Sequence, residues 1–260
     1  MGDLGFEDML ALIEDRSAAL RSAAGQADLA ARVPGCPGWS VRDLVTHLGE
    51  VHRFWSAAVA AGPADQPPGD DQVGDREPHG DLLTWSAAAA KALTDSLRAA
   101  GPDRGCWTWW AASGAPMTAG AVARHQVQEA TVHAFDAQQA AGRAEPLPPL
   151  AAADGVGAFL TIGLQTMGPW PHDPARMLLQ AGDGGTWLVE LGRDAARVTR
   201  QPVAPGPDAL PGRLAAPRVT VAGTSEDFVL AFYRRQGRQS LRVGGDELVL
   251  QRLLDWSDLD

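Results

Sequence analysis

Residues 124–143 read RHQVQEATVHAFDAQQAAGR, and the reading of this stretch decides the fold. Side chains four apart on an α-helix share a face. His125, Glu129, His133 and Asp136, at spacings of four, four and three, therefore form one polar row on a long helix. A buried row of this kind costs free energy unless its members are paired or ligate a metal. His125 and His133 are separated by about 12 Å along the axis at 1.5 Å per residue, so one ion takes either His125 with Glu129 or Glu129 with His133. Asp136 is placed to orient a neighbouring ligand. The plain alternative is an exposed Glu–His pair stabilising the helix by a few tenths of a kcal/mol.

Working outward, residues 39–55, WSVRDLVTHLGEVHRFW, read as a second helix spanning 40–61. Ser40 and Asp43 have the spacing of a capping box, although Asp43 also suits an outer group one turn before His47. The apolar stripe is Val41, Leu44, Leu48, Val51 and Trp55, with His47 and His52 on its flanks. Five residues separate the two histidines, so they diverge by roughly 140° and cannot share an ion. Periodicity does not choose between them. One imidazole from this helix with a Glu–His pair from the other makes a zinc-type donor set with a fourth position left for chemistry.

The pattern predicts further helices over 4–31, 82–100, 118–141 and 150–167, with Thr118 as N-cap and Gly142 as stop. Residues 62–80, rich in Pro, Gly and Asp, predict a mobile surface loop. After GPWPHDP (168–174) the texture changes to β-like runs at 177–180, 187–191, 197–199 and 218–222, with helices at 225–235 and 246–256. The order predicts an α+β protein, with a four-helix bundle over 1–168 and a small α/β domain over 175–260.

The chain has 260 residues, a formal charge of -10 and one lysine, Lys91. This acidity disfavours a nucleic-acid partner, which needs clustered cations. No run reaches the roughly 18 apolar residues of a membrane span, and the acidic N-terminus lacks a secretion signal's basic start. A cytoplasmic protein is expected, a monomer or homodimer with no membrane partner. Cys36 and Cys106 fit neither a disulfide framework nor a C-x-x-C pair, which predicts reduced thiols without a catalytic role. Abundant Arg and Ala beside a single lysine fit GC-rich codons and an actinobacterial source.

CPGWSVRDLVTHLGEVHRFW (36–55) and CWTWWAASGAPMTAGAVARHQVQEATVHAFDAQ (106–138) together resemble the mycothiol-dependent maleylpyruvate isomerase family of the DinB-like superfamily. VTVAGTSEDFVLAFYRR (219–235) and LRVGGDELVLQRLLDW (241–256) are similar to its small C-terminal domain. The resemblance implies a divalent metal, zinc first among candidates, held by His47, Glu129 and His133, which act catalytically through it. It also implies mycothiol as thiol cosubstrate and a small-molecule substrate. In one departure, the family's common H-R-W-D is HAFD here, with Ala134 and Phe135 in place of Arg and Trp, so no anion contact carries over to that position.

The implied chemistry is a metal-activated thiol that isomerises a maleylpyruvate-like cis alkene or is transferred to an electrophile. The alternatives are a thiol-independent Lewis-acid isomerase or lyase and a non-catalytic small-ligand binder. Arg234, Arg235, Arg238 or Arg242 either supply cationic contacts for a dianion or simply solvate the surface, while Trp107, Trp109 and Trp110 line the cleft or pack the core.

Overall fold

Ser40 ends an extended segment by capping the helix that follows. Asp43 N–H donates to Ser40 Oγ at 3.2 Å and Ser40 N–H donates to Asp43 Oδ2 at 2.8 Å, satisfying two end groups reciprocally. Asp43 is thus a cap, and its Ser40 hydrogen bonds hold its carboxyl below the usual range. In the computed structural model, which describes residues 4–202 and 217–257, this helix is α2 (Val41–Ala61). With α1 (Phe6–Ala24), α4 (Leu82–Ala100) and α5 (Ala119–Ala140) it builds a four-helix bundle, and a four-residue helix, α3 (Asp70–Val73), lies between α2 and α4.

One core cluster joins all four long helices. Leu20 and Ala23 of α1, Leu44 and Leu48 of α2, Trp85 of α4, and Ala134 and Ala137 of α5 are buried together. Each buried Leu contributes about 1.5–3 kcal/mol relative to leaving it exposed. Small residues set the helix spacing: a Cβ on Gly49 would sit 2.0 Å from the Trp85 ring.

Several elements depart from the sequence pattern. The first helix ends at Ala24 rather than at residue 31, capped by Gly25, whose N–H donates to Arg21 O. Residues 32–40 then form a loop closed on itself by a bridge between Arg32 and Ser40. Val33 N–H donates to Trp39 O, Trp39 N–H to Cys36 O, and the Arg32 guanidinium to Gly38 O at 2.7 Å. Gly38 takes φ 93° in this turn, a conformation that costs residues with a Cβ. The 62–80 segment, expected to be wholly loop, contains α3 and buries Val73, with Gln72 Oε1 accepting from Gly69 N–H at 2.9 Å.

The chain divides into two compact units, Gly2–Ala151 and Ala152–Asp260, whereas the sequence pattern placed the break between residues 168 and 175. The difference has a local origin. Helix α6 (Pro149–Ala158) runs on into a π-helical stretch, Phe159–Leu164, whose side chains pack with the sheet unit. Phe159 stacks on Phe232 with ring centroids 4.4 Å apart, and Gln165 Oε1 accepts from Val198 N–H at 3.0 Å.

The second unit is a five-stranded mixed sheet of order β3-β2-β1-β4-β5, formed by β1 (Ala175–Ala181), β2 (Gly185–Leu191), β3 (Ala196–Gln201), β4 (Val219–Gly223) and β5 (Arg242–Gly245). Only the β1–β4 pair is parallel. On β1 and β2, Met177, Leu179, Trp187 and Val189 alternate inward, as a sheet with one covered face requires. Among the described residues the unit also holds α7 (Ser225–Phe232) and α8 (Glu247–Trp256). The α+β class is as the sequence implies. Strand β5 was not anticipated, and α7 stops at Phe232 instead of residue 235 because Arg234 turns to φ 59°. Among the described residues no helix is long and apolar enough to cross a membrane.

Candidate metal centre

Helix α2 carries its two histidines in different surroundings. His52 is buried in the bundle, 1% exposed, and neither ring nitrogen has a hydrogen-bond partner. Burial pushes its pKa down to about 3. His47 sits at the bundle's margin, its side chain 35% exposed, with Nε2 3.9 Å from Glu129 Oε2.

On α5, His133 Nε2 lies 3.6 Å from the same Glu129 oxygen. One donor atom each from His47, Glu129 and His133 thus falls within 4.8 Å of the other two. These contacts are longer than hydrogen bonds, so two imidazoles and a carboxylate surround a space of ionic size. His125 meets the other carboxylate oxygen, Oε1, at 3.7 Å. Of the two pairings the spacing allowed, only the one with His133 also gathers His47.

The charge distribution matches a cation. Burial pushes the Glu129 carboxyl upward, but the surrounding imidazoles outweigh it and hold the group well below its usual range. His133 is likewise disfavoured as a cation by burial, yet Asp136, Cys36 and Glu129 raise its pKa well above the ordinary value. A carboxylate held charged beside a cationic imidazole marks a place where a divalent ion can stand in for the positive charge. Two nitrogens and one carboxylate oxygen are a zinc-type donor set. The residues present therefore fit a divalent metal, without fixing which one.

Behind the donors, His133 Nδ1 makes a 3.0 Å hydrogen bond to Asp136 Oδ2, and Asp136 is 0% exposed. A carboxylate accepts only, so Nδ1 carries a proton, and Nε2 is the ring atom that faces Glu129. The spacing found Asp136. It missed Cys36, whose buried Sγ lies 3.4 Å from the same Oδ2 across 100 residues of sequence. Trp39 was missed as well: its ring lies 4.7 Å from His47 and 6.1 Å from His133.

The remaining candidates separate clearly. Trp110 is core at 0% exposure, its Nε1 donating to Pro116 O at 3.0 Å. Trp107 packs on Phe54 and Trp55, while Trp109 is 41% exposed and lies 5.8 Å from His125. Among the described residues neither Cys36 nor Cys106 is in a disulfide, and burial raises the Cys106 pKa to about 11. The proposed anion contacts are largely engaged within the sheet unit. Arg234 donates to Leu254 O, Arg235 to Tyr233 O, and Arg238 pairs with Glu247 at 2.7 Å; Arg242 is exposed on β5.

Residues 10–138 match the family described as "Mycothiol maleylpyruvate isomerase N-terminal domain". No curated protein matches the chain. Among solved structures, the crystal structure of a mycothiol-dependent maleylpyruvate isomerase superposes with a TM-score of 0.58 at 14% identity, covering 94% of this chain and 96% of that one. A single-residue variant of that isomerase gives the same values. At this identity the likeness establishes the fold.

Proposed function

The chain belongs, through residues 10–138, to the mycothiol maleylpyruvate isomerase N-terminal domain family, and from that premise we propose that it is a divalent-metal enzyme using a thiol of the mycothiol kind. The observation that carries this reading is the approach of His47, Glu129 and His133 to within 4.8 Å of one another. Of the three side chains His47, 35% exposed, is the one that solvent reaches most, against 21% and 9% for Glu129 and His133. Zinc is the leading metal.

When bound, the ion supplies Lewis acidity that favours the ionised, nucleophilic form of a thiol beside it. The residues of this chain do the rest. His47, Glu129 and His133 would hold the ion from two helices packed in the bundle core. Asp136 keeps the proton on His133 Nδ1 and fixes the ring's orientation. Trp39 lies beside the His47 and His133 rings and limits water on that side.

On a cis alkene conjugated to a carbonyl, the thiol sulfur bonds to one alkene carbon as the π pair moves onto the carbonyl oxygen. Rotation about the resulting single bond and expulsion of the same sulfur give the trans alkene, with no net gain or loss of atoms. When the enolate carbon instead takes up the proton that the thiol gave up, the sulfur stays attached and the product is a thioether, the S-transfer outcome. The substrate class is a maleylpyruvate-like unsaturated acid.

The test pairs metal content with thiol dependence. Wild-type protein purified without chelator is expected to carry about one ion per chain, and His47→Ala and His133→Ala far less. Conversion of a cis unsaturated keto acid should require added mycothiol. Equal metal in all three proteins refutes the ligand set, and turnover indifferent to thiol refutes the mechanism.

A further inference from the structure

We infer that Cys36 is a positioning residue for the metal centre, acting through Asp136 on His133; the inference rests on the proposal that His133 is a ligand. Three buried groups form a chain. Cys36 is 7% exposed, Asp136 0% and His133 7%, and the described atoms place Sγ, the carboxylate and the imidazole in one cluster. Asp136 Oδ2 accepts from both His133 Nδ1, at 3.0 Å, and Cys36 Sγ, at 3.4 Å.

A carboxylate removed from water needs donors, because an unsatisfied charged acceptor in the interior costs several kcal/mol. His133 satisfies part of that need, and the thiol S–H is the second donor on the same oxygen. Its S–H holds Oδ2 in place, and with it the orientation in which the His133 ring donates from Nδ1 and offers Nε2 to an ion. Partners behind a ligand typically change metal affinity 10–100-fold. A thiol is a weak donor one bond further out, so a change of about 3–10-fold is expected for it.

The experiment measures zinc dissociation constants of the whole protein against a competing chromophoric chelator, with the visible spectrum of the cobalt(II)-loaded protein as second readout. Cys36→Ala should weaken zinc about 3–10-fold and shift the cobalt bands. Cys36→Ser, which restores a hydroxyl donor, should stay within about twofold of wild type with near-native bands. If Cys36→Ala folds poorly, Cys36→Val keeps the volume without the donor and carries the same expectation. Unchanged affinity and spectrum in the donorless variants overturn the inference while leaving the ligand set intact. Equal weakening by Ser and Val reduces Cys36 to packing and overturns it as well. Wild-type protein that binds no ion overturns both this inference and the reading it rests on.

Discussion

Replacing His52 with leucine should make the helical unit more stable, increasingly so as the solution is acidified. The side chain is 1% exposed and both ring nitrogens lack partners. Leaving a buried donor unsatisfied costs about 1–3 kcal/mol, so a leucine of similar bulk should raise stability by about 1–2 kcal/mol at pH 7.5. The pH term follows from the folded-state pKa of about 3 against 6.5 for the free group. Below pH 6.5 the unfolded chain takes up a proton that the folded chain refuses until near pH 3, so wild-type stability falls as pH drops through that window.

At 1.36 kcal/mol per pKa unit, the loss from this group between pH 7.5 and 5 is about 2 kcal/mol. The groups that act on His52 are Glu129, which favours its charging, and Arg21, His133 and His47, which oppose it. They remain in both proteins and largely cancel in the comparison. Urea unfolding of chelator-treated wild type and His52→Leu, followed by tryptophan fluorescence at pH 7.5, 6 and 5, reads the difference directly. The gap should widen by about 2 kcal/mol at pH 5. A gap that stays constant with pH refutes the reasoning.

Two further outcomes follow from packing. Gly49→Ala places a Cβ 2.0 Å from the Trp85 ring, and should cost about 1–3 kcal/mol, visible as a lowered denaturant midpoint; an unchanged midpoint would show that α2 and α4 separate freely. Phe159→Ala removes the ring stacked on Phe232 at 4.4 Å and should cost about 3–5 kcal/mol. Hydrogen exchange should report that loss first in α7 and the sheet, and uniform exchange across the chain would contradict it.

The bundle was readable from sequence because its determinants are local. Ser40 and Asp43 announce the start of α2, and the Glu129–His133–Asp136 row needs only helical periodicity. What was hidden depends on the third dimension. His47 and His52 flank one stripe, and only the packing of the other helices shows that His52 faces the interior and His47 the margin. Cys36 lies 100 residues from Asp136, a separation at which no spacing rule operates. Strand β5 is four residues with two glycines, and it exists because β4 offers an edge to pair with. The π-helical stretch follows FLTIGL, a segment that reads as ordinary helix until the stacking of Phe159 is seen.

The loop of residues 32–40 has one more consequence. It sends Cys36 behind the His133–Asp136 pair and Trp39 across the rings of His47 and His133, and it is stitched by its own backbone and Arg32. None of those stitches involves a donor atom of the proposed metal site. The conformational freedom lost in shaping the receptor is thus surrendered when the polypeptide folds rather than when an ion arrives. Capture should resemble a key entering a finished lock, with heat and amide protection of residues 32–40 nearly alike in the empty and loaded protein.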